Sequence, residues 1–126
     1  MSFRWRSYLD LARDIRATGS SEEHWRTCVS RAYYAAFGEV FAKLGPFLPN
    51  DRRYGVHDAL WVFLKMRDGR VPRKIGIAGD RLKQLRVTAD YKADRLLTDR
   101  DAERALVHCV EIIQDLDAST VALLRR

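Results

Sequence analysis

Between Trp25 and Leu44 apolar residues recur at alternating steps of three and one: Trp25, Cys28, Val29, Ala32, Tyr33, Ala36, Phe37, Val40, Phe41 and Leu44. On a 3.6-residue helix that spacing draws one unbroken apolar stripe over five turns. Ser20, with Glu23 three residues on, has the form of a capping box, so this helix two opens there. Gly45-Pro46 ends it. Helix one is predicted from about Phe3 to Ala17 on Trp5, Tyr8, Leu9, Ala12 and Ile15, with Gly19 just beyond its end. Pro46 to Gly55 reads as a loop, and helix three runs from about Val56 to Arg67 with Ala59, Leu60, Phe63 and Leu64 inward. A second loop, DGRVPRKIG, spans Asp68 to Gly76. Helix four covers about Ile77 to Tyr91 on Ala78, Leu82, Leu85 and Ala89, a seam near coiled-coil spacing. The β-branched pair Val87-Thr88 predicts a bend near its end. Thr98, with Asp101 three residues later, caps helix five, which continues to about Leu124 through Ala102, Ala105, Leu106, Cys109, Ile113, Leu116 and Leu123. No segment makes a convincing strand. The expectation is an all-α, up-and-down bundle of four or five helices, one domain over residues 1–126.

Charge changes the picture more than composition does. The chain carries a net charge of +6. Ten basic and four acidic residues fall between Lys65 and Arg95, so that quarter of the chain holds the whole excess. A concentration of this kind suits a polyanion partner, with Arg73, Lys74, Arg81, Lys83, Lys92 and Arg95 as the contact candidates. The alternative is a solvated helix face. No apolar run has the length of a membrane span, the N-terminal MSFRWRSYLDLARD lacks the apolar stretch of a secretory signal, and a cytoplasmic location is expected. Cys28 and Cys109 lie on predicted apolar faces without a CxxC partner and read as small buried hydrophobes.

Several chemistries are excluded by motif. There is no glycine-rich phosphate loop, HExxH or paired CxxC, and the three histidines have no metal-ligand spacing, so neither metal nor cofactor is expected. His24 and His108 read as surface or packed side chains. His57 opens helix three beside the Asp51-Arg52-Arg53-Tyr54 turn, where it could act as acid or base near neutral pH, or be a polar residue of a first helical turn. Arg86 and Asp90, four apart, share one helix face. In that order the pair opposes the helix dipole and contributes at most a few tenths of a kcal/mol, roughly, so stability is a weak reason for it. Tyr91 is five residues from Arg86, roughly 140° round the helix, and joins the pair only if the helix bends or a second subunit completes the site. A phenol is a poor base at neutral pH, yet it can donate to phosphate or stack on a nucleobase.

Two stretches together carry a family resemblance. SRAYYAAFGEVFAKLG (Ser30 to Gly45) and LKQLRVTADYKAD (Leu82 to Asp94) resemble the SRAYYAxF helix and the RxxADY motif of small single-domain HEPN proteins of bacteria and archaea. YGVHDALWVFL (Tyr54 to Leu64) and the capped final helix TDRDAERALVHCVEII are similar to theirs in the same order. The resemblance implies a helical bundle that pairs as a homodimer around a cleft. It also implies RNA as the target, since many relatives are metal-independent endoribonucleases of toxin–antitoxin and defence systems, often with a minimal nucleotidyltransferase as antitoxin. Their motif places a histidine four to six residues after an arginine. The arginine stabilises charge on the phosphorane formed by 2′-OH attack, and the histidine moves the proton. Here Arg86 matches the arginine, Tyr91 stands where the histidine is expected, Val87 replaces the polar residue often found after the arginine, and Asp90 is the possible substitute base. Arg52 and His57 have the bare spacing but sit in a different element. The reading divides between an RNA-cleaving protein and a non-catalytic module that binds RNA, a nucleotide or the nucleotidyltransferase partner.

Overall fold

In the computed structural model, which describes residues 2–50 and 54–124, five α-helices pack on one another: α1 (Ser7–Thr18), α2 (Glu22–Leu44), α3 (Val56–Lys65), α4 (Arg70–Tyr91) and α5 (Asp99–Leu124). A short 3-10 turn, Gly45–Phe47, follows α2. The described residues contain no strand. The 3-1 stripe of α2 explains its place at the centre, in contact with α1, α4 and α5, while α3 lies mainly on α4. Its Cys28, Val29, Ala32, Tyr33, Ala36, Val40 and Leu44 are buried, with Phe37 and Phe41 packed at the margin of the core. From α5, the expected Ala102, Ala105, Cys109, Ile113 and Leu116 meet them, joined by Ile112. Arg52 and the side chain of Leu123 lie outside the described residues.

The ends of the helices depart from expectation in instructive ways. The capping box predicted at Ser20 does not form. The cap is Ser21, whose side chain caps no backbone N–H of the helix; its Oγ lies 2.6 Å from His24 Nδ1 instead. At α5 the box does form: Asp101 N donates to Thr98 Oγ1 at 3.3 Å and Thr98 N to Asp101 Oδ2 at 2.9 Å. Helix one begins at Ser7, leaving Trp5 outside it, where its ring covers Gly38 of α2 closely enough to leave no room for a Cβ. Arg6 ties this end down, bonding Glu39 through Nε at 2.8 Å and Asp117 through Nη2 at 3.0 Å.

The largest correction concerns α4. Asp68 to Gly76 is not a loop, since the helix begins at Arg70 and runs 22 residues to Tyr91. Pro72 is its third residue, where the missing N–H would have had no helical partner. Gly69, at φ 111°, makes the turn into it. Gly76, which read as the end of the loop, and Gly79 are packing positions. A Cβ on Gly76 would stand 2.7 Å from the backbone nitrogen of Lys65, and one on Gly79 would collide with the Trp61 ring. Nor does α4 bend at Val87-Thr88.

Both cysteines are free and buried. Burial pushes the Cys28 thiol up to about 11 and the Cys109 thiol to about 12. Because the thiolate is the reactive form, the folded protein should release no chromophore from a disulfide reagent at pH 8, and both thiols should react once it is unfolded in guanidinium. Fast release from the native protein would contradict this packing.

Candidate functional site

Around Arg86, the two stretches that carry the family resemblance meet side by side. Within α2, Arg26, Ser30 and Tyr34 follow at steps of four, a polar edge beside the apolar stripe that faces the end of α4. Arg86 Nε donates to Asp90 Oδ2 at 2.9 Å, and Arg86 Nη2 donates to the Tyr34 hydroxyl at 2.6 Å. Ser30, buried, donates from Oγ to the same Asp90 oxygen at 3.3 Å. Arg31 adds a second guanidinium, which donates to Ser30 Oγ at 3.2 Å and lies over the Tyr34 and Tyr8 rings. Tyr91 joins without a bend, against expectation: Arg86 Nη2 reaches its hydroxyl at 3.4 Å, and the guanidinium sits 5.3 Å from its ring centre. The length of the arginine side chain and the position of Tyr91 at the last residue of α4 make the contact possible. Tyr91 is 70% exposed whereas the Arg86 side chain is only 14% exposed, so the cluster is a mostly buried cation under an open phenol.

Arg26 holds the end of α4 in place. A helix leaves its last carbonyls without helical partners, and Arg26 Nη1 donates to those of Thr88 at 2.9 Å and Ala89 at 3.0 Å. Its Nη2 takes the carbonyls of Lys92, at 3.1 Å, and of Arg95. Glu22 completes the anchor by accepting from Arg26 Nε at 2.8 Å and from Leu97 N at 3.2 Å. Between Arg26, Ser30, Arg31 and Asp90 runs an open groove of about 400 Å3. Arg86 Nη1 donates to none of the described residues. The geometry therefore leaves the two N–H groups of Nη1 unspent on a cation already oriented by a carboxylate and a phenol, which suits a phosphate oxygen.

Comparison with protein-family models, curated proteins and solved structures finds no match for this chain.

His57 lies one aromatic layer behind the cluster. Its ring stacks on Phe37 at 4.1 Å between centres and meets the Tyr34 ring edge-on at 6.0 Å. Trp61 Nε1 donates to the Tyr33 hydroxyl at 3.1 Å, and that hydroxyl is 2.7 Å from His57 Nδ1. An indole N–H only donates, so the simplest chain runs from Trp61 to Tyr33 to His57, with Nδ1 accepting and the imidazole proton on Nε2. Burial first, then Arg86 and Lys83 against the opposing pull of Asp58, hold the imidazole below its ordinary titration range. His108 is shifted the same way, by burial first, against the opposing pull of Glu111 and with smaller help from Arg81 and Arg104. Both rings bind a proton more readily in the unfolded chain. Their contribution to stability is thus present above the ordinary histidine value of about 6.5 and is lost as pH falls through the lowered folded values. Melting temperatures recorded from pH 7.5 down to 5 should fall, and fall less for the double variant His57→Gln/His108→Gln. Parallel curves for the two proteins would contradict the assignment.

The six residues expected to meet a polyanion do not form one surface. Arg73, Lys74 and Arg81 line a groove between α4 and α5. Lys83 is ion-paired to Asp58 of α3, its side chain 17% exposed, and offers the least to an outside ligand. Lys92 and Arg95 are exposed in the α4–α5 connection, next to Tyr91. The site residues that sequence reasoning missed are Ser30, Arg31, Tyr34 and Arg26. For Arg26, Ser30 and Tyr34 the signal was a four-residue spacing of polar positions beside the apolar stripe; Arg31 lay off that spacing.

Proposed function

We propose that this chain is a HEPN-type, RNA-directed cytoplasmic protein, the toxin-like member of a toxin–antitoxin or defence pair. It would work as a homodimer with a minimal nucleotidyltransferase as its antitoxin. One observation carries the reading: Arg86, Asp90 and Tyr91 of the RVTADY segment converge with Ser30 and Tyr34 of the SRAYYAAF helix in a single hydrogen-bonded cluster. These are the two motifs on which the resemblance rests, brought together from positions more than fifty residues apart.

In this reading Arg86 Nη1 binds a non-bridging phosphate oxygen. As the adjacent 2′-oxygen attacks phosphorus, the extra negative charge develops beside the guanidinium, where a preoriented cation stabilises it more than it stabilises the ground state. Asp90, held by Ser30 and Arg86, accepts the 2′-OH proton, and the Tyr91 hydroxyl donates to the departing 5′-oxygen. The products are a 2′,3′-cyclic phosphate and a 5′-hydroxyl. A second reading, RNA or partner binding without cleavage, is favoured by a specific feature: no histidine lies in the cluster, and His57 Nδ1 is occupied by Tyr33.

The test is incubation of the purified protein with tRNA and total RNA in excess EDTA. Fragments ending in cyclic phosphate, absent with Arg86→Ala, are the expected result. RNA left equally intact by both proteins overturns the cleavage reading, and if the protein also fails to bind RNA the RNA-directed reading goes with it.

A further inference from the structure

A second concentration of positive charge lies on another face of α4. Arg70, Lys74 and Arg81 share one stripe of that helix, roughly 120–160° round from Arg86. Together with Arg73 they line an open groove of about 530 Å3 against α5. Lys74 has Asp115 at 3.4 Å, whereas Arg70, Arg73 and Arg81 form no ion pair among the described residues. Stability gives no reason for the arrangement. The first turn of α4 holds no acid, so its cations meet the positive end of the helix dipole and repel one another at steps of three and four.

The floor of the groove is of a different character. Ile77 is 40% exposed there, Ala78 lies beside it, the His108 ring of α5 adjoins them, and Glu111 is the one acid of the lining, against four cations. His108 Nδ1 is buried without a hydrogen-bond partner among the described residues. With its proton on Nε2, the neutral ring leaves only a lone pair buried at Nδ1 and adds a flat face to the floor. Cations along one wall of an apolar, ring-bearing floor are what a single strand of nucleic acid requires: charge for the backbone and surface for the bases.

We propose that this α4–α5 groove binds the phosphodiester backbone of single-stranded RNA, apart from the Arg86 cluster, and holds the strand without taking part in its cleavage. The stripe from Arg70 to Arg81 extends over about 16 Å of helix, which suits successive phosphates of a strand better than one compact phosphate. The choice of RNA rests on the function proposed above, while the site rests on the charge and shape of the groove.

Binding of a fluorescein-labelled oligouridylate, followed by anisotropy over a series of salt concentrations, tests this. Three proteins are compared with wild type: Arg70→Ala/Arg73→Ala/Arg81→Ala, a remote control Arg4→Ala/Arg13→Ala/Arg100→Ala that removes the same charge, and Arg86→Ala. The groove variant should lose about tenfold or more in affinity at low salt, and its salt slope should drop by about 2, at about 0.7 per phosphate contact. The remote control should stay within about threefold of wild type, and Arg86→Ala, which removes the single phosphate contact of its own site, should lose less than the groove variant. Equal losses in the groove and remote variants would reduce the effect to net charge and overturn the proposal. Loss in Arg86→Ala alone would overturn it too, leaving the RNA-directed reading intact. No binding by wild type would remove both.

Discussion

Replacing Trp61 by alanine should lower the unfolding free energy by about 3–5 kcal/mol, the largest stability loss expected of a single substitution in this chain. The indole is fully buried. It fills the space above Gly79, where α3 and α4 approach too closely for any side chain on the glycine. Removing it leaves a cavity that a glycine surface cannot fill by relaxing inward. It also takes from the buried Tyr33 hydroxyl its donor. Trp61→Phe separates the two effects, since it keeps much of the buried area while losing the N–H, at a cost of about 1 kcal/mol for the hydrogen bond plus a smaller packing loss. Urea unfolding followed by circular dichroism reads both, because two other tryptophans complicate fluorescence. If the alanine variant costs no more than the phenylalanine one, the α3–α4 contact is not as described.

The other large effect is on chemistry. If the protein cuts RNA, Arg86→Ala should reduce the cleavage rate by about 10²–10³-fold, the usual consequence of deleting a group that meets charge formed in the transition state. Stability should change by about 1 kcal/mol or less, because the Asp90 carboxylate keeps Ser30 and is partly open to water. Arg86→Lys should not restore the rate, because a compact ammonium on a shorter side chain cannot reproduce the planar fork that holds Asp90 and Tyr34 through separate nitrogens and leaves a third for phosphate. Asp90→Asn assigns the proton. An amide still accepts from Arg86 Nε but is no base, so a loss as deep as that of Arg86→Ala makes Asp90 the base, and a loss of less than about tenfold makes it an orienting group. Single-turnover cleavage of a radiolabelled RNA measures all three. Wild-type RNA binding with no cleavage in any of them would leave only the binding module.

Some of this was legible in the sequence, for physical reasons that also explain the rest. The stripes of α2 and α5 are long and regular, so periodicity alone placed most of their buried residues. The start of α4 was hidden because Gly69, Pro72 and Gly76 look like punctuation until Lys65 and Trp61 are seen lying against Gly76. A glycine used for close approach has the same letter as one used to break a helix. At the site, Arg86 and Asp90 were visible through their spacing. Tyr34 and Ser30 were not, because a residue on a buried helix reads as core until its neighbour across the gap is known. Tyr91 was misjudged by angle alone, which neglects the reach of an arginine. The basic quarter of the chain was read as one patch, whereas a continuous helix through it sends its charges to different faces.

One consequence follows from the two buried thiols. Since the native cysteines are shielded, a new cysteine on the surface becomes the protein's sole accessible handle for maleimide chemistry, with no need to strip the background first. Met66, 81% exposed between α3 and α4, is a natural place for it. A spin label there would turn the proposed homodimer into a ruler, since two identical copies related by symmetry yield a single distance.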